Sequence, residues 1–174
     1  MDQVGILTKQ TSDAYDWTNR LINSIPYKKW DQTPDVIESN ISWQVGHLIM
    51  SFYYHSIMVI TGHQMEILQQ IPMKEYDKLF TLAAPFNVIG KTDPALLQKQ
   101  LLLLQEKSLN TIRSLSPADL ESPLVPGPIP HPIAKTRFEA IDWNIKHTMW
   151  HCGQIGMIKR VIDERFDFGL KRDL

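Results

Sequence analysis

Residues 39–65 contain no Asp, Glu, Lys or Arg, and this uncharged stretch constrains the fold more than any other feature of the sequence. It is long enough for a membrane-spanning helix, but it carries too many polar groups for a lipid-facing one: Asn40, Ser42, Gln44, His47, Ser51, His55 and Ser56. An uncharged helix outside a membrane is buried on most of its faces. The stretch therefore predicts a central helix of an all-α protein, covered by its own bundle and, as one alternative, partly by a second subunit.

The composition allows one compact domain spanning residues 1–174. With 43% hydrophobic residues, a chain of 174 residues can bury a sizeable core. The 18 basic and 19 acidic residues leave a net charge of −1, so we expect neither nucleic acid nor an anionic membrane as a partner. The one cysteine, Cys152, cannot form an internal disulfide, and the first residues lack the features of a secretory signal. A reducing cytoplasm is the expected location.

Apolar residues at helical spacing predict four long helices, and strand signals are weak. The first helix ends before Pro26, the second ends before Gly62, and the third begins at the capping segment Thr92-Asp-Pro-Ala. A second capping signal, Ser116-Pro-Ala-Asp, predicts one short turn. The predicted long helices cover residues 3–25, 39–61, 92–112 and 135–163. We expect residues 165–174 to form a loosely packed tail.

The segment from Ser122 to Pro132 contains five prolines around Gly127 and can be neither helix nor central strand. An extended connection of this length is either a crossover between helices or a lid over a site. We favour the crossover, because proline-rich connections mostly span distance.

Two histidines of the last predicted helix, His147 and His151, lie one turn apart on the side opposite its charges. At ~100° per residue they differ by about 40° around the helix axis. Imidazoles at this spacing are about 5–6 Å apart at Cβ and can bind one metal ion together. The alternative is a pair of core histidines, each with a hydrogen-bond partner, whose charged forms are penalised by burial.

A catalytic metal site usually has three protein ligands and an open position, so a third ligand must come from another helix. His47 is the candidate, because its stripe on the uncharged helix carries only uncharged residues. These are Gln44, Ser51, Tyr54 and Met58. By itself, one histidine on an apolar face is more often a core residue than a ligand.

Other polar residues near these histidines have weaker assignments. Gln154 and Asn144 flank the pair, and their amides are candidates for orienting a ligand or a substrate, with local core partners as the alternative. We expect His55 to be structural or at the rim of a pocket. His63 is expected to be solvated, and His131 is expected to be a solvated loop residue rather than one that reaches over the site.

Apolar residues around the histidine stripes suggest packing and association. Cys152 fits a small core position, and aromatic residues at helical spacing are core or, as the alternative, pocket walls. The aromatic residues concerned are Trp43, Trp143 and Trp150. A homodimer would hide the side of the uncharged helix that we expect to be exposed. That side carries Trp43, Tyr53, Ile57 and Ile60.

The two histidine segments together resemble the DinB/YfiT-like superfamily of metal-dependent enzymes. The segments are Ser39-Asn-Ile-Ser-Trp-Gln-Val-Gly-His47-Leu-Ile and His147-Thr-Met-Trp-His151-Cys-Gly-Gln154-Ile. The resemblance covers most of the chain and implies a four-helix bundle of the up-down-down-up type, commonly dimeric. It also implies that His47, His147 and His151 bind a divalent metal such as nickel, zinc or iron. Members that resemble this pattern include S-transferases and isomerases that use low-molecular-weight thiols such as bacillithiol or mycothiol.

The expected metal site favours thiol transfer over hydrolysis. A divalent ion on three neutral imidazoles keeps its full charge, lowers the pKa of a bound water towards ~7 and deprotonates a coordinating thiol. Metallopeptidases of the helical His-pair type have glutamate after the first histidine, but here that residue is Thr148. We therefore predict transfer of a low-molecular-weight thiol to an electrophilic small molecule. A hydrolase that uses metal-bound hydroxide, a metal- or ligand-binding module without turnover, and a purely structural dimer stay open as alternatives.

Overall fold

The computed structural model describes residues 2–127 and 130–169, and this part of the chain is all-helical. Four long helices dominate it: α1 (Gln3–Asn23), α2 (41–61), α3 (Pro94–Arg113) and α4 (Arg137–Ile162). In α2, the α-helical segments Ile41–Tyr53 and Val59–Thr61 are joined by the π-helical turn Tyr54–Met58. The one β-type pairing in these ranges is an isolated bridge between Pro123 and Thr136. Within them, every helix is too short or too polar to cross a membrane.

Side-chain caps start the long helices close to the predicted positions. Asp2, Asn40, Asp93 and Thr136 each accept a hydrogen bond from a backbone N–H of the first turn. All eight predicted helix ends lie within two residues of the observed ones, which confirms the four long helices. The predicted short turn is also present, as the helix Pro117–Leu120 with a capping box.

Hydrogen bonds between the long helices give their relative directions. The paired residues are Tyr15–Ser108 and Asn23–Gln98 between α1 and α3, Tyr15–Asn144 and Ser24–Lys159 between α1 and α4, and Gln44–His151 and Ser51–His147 between α2 and α4. Helices α1 and α3 are therefore antiparallel, as are α2 and α4, whereas α1 and α4 are parallel. Helix α3 also packs on α2, so each long helix contacts two others.

Residues 62–91, for which the sequence pattern gave no prediction, fold over α2. They form the short helix Met65–Leu68, the helix Met73–Asp77 with its π-helical continuation Lys78–Leu82, and the 3-10 turn Pro85–Val88. Phe80 of this segment is fully buried against Gly46 of α2. A Cβ atom at Gly46 would lie 2.3 Å from the Phe80 ring, so only glycine permits this contact.

The exposed face that we expected on α2 does not exist. Tyr53, Ile57 and Ile60 are only 4%, 1% and 1% exposed, and Trp43 is half-buried. The expectation was wrong because the chain's own core and residues 62–91 cover this helix. Large exposed apolar residues lie instead on α4, where Trp150, Met157 and Val161 are at least half exposed and share one helical stripe. Cys152, by contrast, is buried in the core as predicted.

The proline-rich connection and the C-terminal tail are non-helical where they are described. Val125 donates its backbone N–H to the carbonyl of Val59 and so ties the connection to α2. Residues 164–169 follow α4 without helix, and Phe168 lies 5.7 Å from the ring of Trp17. Residues 128 and 129 of the connection and 170–174 of the predicted tail lie outside the described residues.

Candidate metal centre

The three histidines predicted as metal ligands come together between α2 and α4. One ring nitrogen from each of His47, His147 and His151 lies within 4.8 Å of the other two. The ring centroids are 4.5 Å apart for the two α4 histidines, and 4.8 and 5.4 Å from His47 to His151 and His147. His151 is buried and the other two are half-buried. The antiparallel pairing of α2 and α4 therefore turns two distant sequence segments into one cluster.

Two of these rings have a fixed proton position. Nδ1 of His47 donates to the carbonyl of Phe80 at 2.7 Å, and Nδ1 of His151 donates to Oε1 of Gln44 at 2.6 Å. Because a carbonyl oxygen only accepts hydrogen bonds, each neutral ring carries its proton on Nδ1. Nε2 of both rings is then unprotonated and carries a lone pair, which is the form that coordinates a metal.

The third ring, His147, can adopt either tautomer because its partner is a hydroxyl group. Nδ1 of His147 lies 2.7 Å from Oγ of Ser51, which can donate or accept. Nε2 of His147 lies 3.1 Å from Nε2 of His151. In the metal-free protein, His147 can donate across this contact. When Nδ1 instead donates to Ser51, all three Nε2 atoms are lone pairs, and 3.1 Å is close to the ~3.3 Å between two nitrogen ligands of a tetrahedral ion.

A chain of amides supports His151 from behind. Gln44, which accepts from His151, donates its own amide to Oε1 of Gln154 at 2.8 Å and to Oγ of Ser39 at 2.8 Å. Gln154, a sequence candidate, thus contacts the site through Gln44 and not directly. Asn144, the other candidate, lies in the core and donates to the Tyr15 hydroxyl at 3.0 Å rather than to a histidine.

The environment keeps the three imidazoles neutral at physiological pH. Burial, followed by the neighbouring imidazoles, lowers the pKa of His151 from 6.5 to about 3 and that of His147 to about 4. Burial also lowers the pKa of His47, against the opposing effect of its hydrogen bond to Phe80. Metal ligation requires neutral imidazole, and burial keeps the three rings in that form. Among the residues that the structure describes, the cluster contains histidines only and no carboxylate.

Two tryptophans form walls beside the histidines. Trp43 stacks on His47 with ring centroids 4.8 Å apart, and Trp143 stacks on His147 at 5.8 Å. Trp43 is held in place because its indole N–H donates to the carbonyl of Ala83. Trp150, by contrast, is 63% exposed on the outer face of α4 and is no part of this wall.

Two further histidines adjoin the cluster, and the sequence pattern did not assign them to the site. His55, in the π-helical turn of α2, has its ring centroid 5.6 Å from that of His147. Nε2 of His131, in the proline-rich connection, lies 2.7 Å from Nδ1 of His55. His131 is therefore not the solvated loop residue that we expected. His63 is exposed as predicted and contacts Tyr53.

The signals for the missed residues were present in part. Gln44 and Ser51 lie three residues before and four residues after His47, on the stripe already identified as uncharged. Spacing alone could not show which histidine each of them contacts, since their partners lie on α4. For Phe80 no signal existed, because the group that contacts His47 is a backbone carbonyl.

Comparison with known proteins agrees with the resemblance seen in the two histidine segments. The family model of the DinB superfamily matches residues 10–155, which is most of the chain and includes all three clustered histidines. The sequence matches no curated protein. Together with the all-helical fold, the match shows that the chain belongs to the DinB superfamily.

Proposed function

We propose that the chain is a metal-dependent enzyme that transfers a low-molecular-weight thiol to an electrophilic small molecule. The single observation that carries this proposal is the convergence of three neutral imidazoles, from His47, His147 and His151, without a carboxylate among them. Three nitrogen donors suit zinc, nickel or iron, whereas magnesium and calcium prefer oxygen ligands. A divalent cation bound there would keep its full charge and would lower the pKa of a thiol or water molecule that joins it.

The surroundings of the cluster favour thiol transfer over hydrolysis. Hydrolysis needs a general base to accept a proton from water, and a thiol that is already deprotonated does not. Thr148 follows His147 where a metallopeptidase has glutamate, and its hydroxyl donates to the carbonyl of Asn144. Asp142 is paired with Lys146, and Glu139 caps the start of α4. These acidic groups are therefore engaged elsewhere.

The proposal is tested by thiol consumption on protein loaded with zinc or nickel, with model electrophiles and several low-molecular-weight thiols. We expect the wild-type rate to exceed that of a His147→Ala variant by more than about 100-fold, as for loss of a whole catalytic group. His63→Ala is the matched control, since it removes an exposed imidazole outside the cluster. Equal rates for wild type and His147→Ala would contradict the proposal. Cleavage of an ester without any thiol would favour the hydrolase instead.

We also propose that the four long helices form the up-down-down-up bundle that the resemblance implies, and that two copies associate. The relative directions of α1 with α3 and α4, and of α2 with α4, support the bundle type. The exposed stripe Trp150, Met157 and Val161 on α4 supports an association through that helix rather than through α2. Size measurement at micromolar concentration tests the association. A dimer that becomes monomeric in Trp150→Glu is expected, and a monomeric wild type would refute it.

A further inference from the structure

The hydrogen bonds around His131 fix the position of its proton. Nδ1 of His131 accepts from the backbone N–H groups of Ala134 at 2.8 Å and Ile133 at 3.2 Å. A nitrogen that accepts a hydrogen bond carries a lone pair, so the proton of the neutral ring is on Nε2. Tyr54 stacks on the ring of His131 with the two planes only 4° apart, which holds the ring in this orientation.

The proton of His131 in turn fixes that of His55. Nε2–H of His131 is 2.7 Å from Nδ1 of His55, so Nδ1 of His55 is the acceptor. The proton of a neutral His55 is therefore on Nε2, opposite to the arrangement in His47 and His151. Burial and the neighbouring imidazoles lower the pKa of His55 to about 2, and burial lowers the pKa of His131. Both rings are consequently neutral at physiological pH.

The ring of His55 lies beside the proposed metal site. The residue is 8% exposed, and its ring is edge-on to the ring of His147 with centroids 5.6 Å apart. Within residues 2–127 and 130–169, Nδ1 of His55 is bonded to His131, while Nε2 has no hydrogen-bond partner. The buried unpartnered side-chain atoms of these ranges do not include Nε2 of His55, so this donor is accessible to an acceptor from solvent or from a molecule in the site.

We propose that His55 is a fixed hydrogen-bond donor whose Nε2–H binds an acceptor oxygen of the electrophilic substrate, and that His131 is the positioning residue that keeps the proton there. This inference rests on the proposed function, which supplies the electrophile. It specifies the substrate class further, as an electrophile that carries a carboxylate or carbonyl oxygen next to its reacting atom. It also assigns the proline-rich connection a task beyond spanning distance, namely to deliver His131 to α2.

The first test measures the proton positions without any metal or substrate. Nitrogen-15 NMR of histidine-labelled, chelator-treated protein distinguishes a protonated ring nitrogen from one with a lone pair. We expect the proton on Nε2 in His55 and His131, and on Nδ1 in His47 and His151. In His131→Phe, the signals of His55 should shift towards a mixture of both tautomers. A wild-type His55 that carries its proton on Nδ1 would overturn the inference, and this measurement requires no variant to fold.

The second test uses acetate as the probe on cobalt-loaded full-length protein, followed by visible absorption. We expect His55→Phe to bind cobalt with wild-type stoichiometry but to bind acetate about tenfold more weakly, the effect of one lost hydrogen bond. His131→Phe should lose less acetate affinity than His55→Phe. His131→Gln should bind acetate as the wild type does, because its amide can both accept and donate hydrogen bonds. Unchanged acetate affinity in cobalt-loaded His55→Phe would overturn only the role of His55. A wild-type protein that binds no cobalt would overturn the proposed function itself.

Discussion

His47 and His55 lie on the same helix, two turns apart, yet their hydrogen bonds have opposite directions. Nδ1 of His47 donates to a backbone carbonyl, which leaves Nε2 as a lone pair, whereas Nδ1 of His55 accepts from His131, which places the proton on Nε2. The first ring therefore offers a lone pair to a cation, and the second offers an N–H to an acceptor. The comparison teaches that the role of a buried histidine is decided by the partner of its other nitrogen.

The largest difference in zinc affinity is expected between a variant that lacks one of the three clustered imidazoles and a variant that lacks the ring of His55. We expect His147→Ala to weaken zinc binding by more than about 100-fold, beyond the effect of an outer hydrogen-bond partner, because a ligand is lost. His55→Phe should bind zinc as the wild type does. Metal competition titrations with a chromophoric chelator measure both affinities. If His55→Phe loses zinc as severely as His147→Ala, the two groups are one ligand set and the comparison fails.

Replacement of Gln44, the hydrogen-bond partner of His151 Nδ1, should lower zinc affinity less than loss of a histidine ring does. Gln44→Leu removes the acceptor that fixes the tautomer of His151, and we expect zinc affinity to fall by about 10–100-fold. Gln105→Leu is a suitable control, since Gln105 is also buried but pairs with Asn19 between α1 and α3. The same titration measures both variants. Equal affinity in the two would show that the acceptor of His151 does not influence metal binding.

Gly46→Ala should disturb His47 and leave His55 in place. The added Cβ would overlap the buried Phe80 ring, so the side chain of the residue that supplies the carbonyl acceptor for His47 must shift. We expect the free energy of unfolding to fall by about 1–3 kcal/mol, as in other overpacked sites. Gly153→Ala on α4 has open space around it and should raise stability by up to about 1 kcal/mol. Urea unfolding of both variants checks this, and a neutral Gly46→Ala would contradict it.

Mild acid should destabilise the metal-free protein. The pKa values of His55, His147 and His151 are lowered from 6.5 to about 2, 4 and 3. The unfolded chain therefore binds more protons than the folded chain below pH 6.5, and stability that is present above this pH is lost as the pH falls.

Urea unfolding of chelator-treated protein at pH 7 and pH 5 measures this loss, in a range where ordinary carboxylates remain charged. We expect a lower free energy of unfolding at pH 5, and a smaller decrease in His55→Phe, which lacks one of the three groups. His63→Ala, which removes an exposed imidazole outside the cluster, is the control. A free energy that is unchanged between the two pH values would contradict the burial of neutral histidines.

Helix positions and the pairing of His147 with His151 on one face were predictable because their signals are local. Capping residues such as Asn40 and Thr136 act within one turn of their own helix, and an i, i+4 spacing brings His147 and His151 to one face regardless of the remaining chain. The prediction of an exposed face on α2 failed for the opposite reason. Whether Tyr53 or Ile57 is exposed depends on what folds over it, and residues 62–91, which share a core cluster with both, carry no strong periodic signal.

The sequence by itself determined that four long helices form, where they begin and end, and that His147 and His151 share one face of α4, since helical periodicity is a property of neighbouring residues. The family resemblance indicated that His47 joins them, and the packing of α2 against α4 brings it there. The tertiary structure alone decided which nitrogen holds the proton in His47, His55 and His151. The acceptor for His47 comes from a carbonyl 33 residues away and the donor to His55 from a ring 76 residues away. Such pairings depend on how distant segments pack, and no local pattern records them.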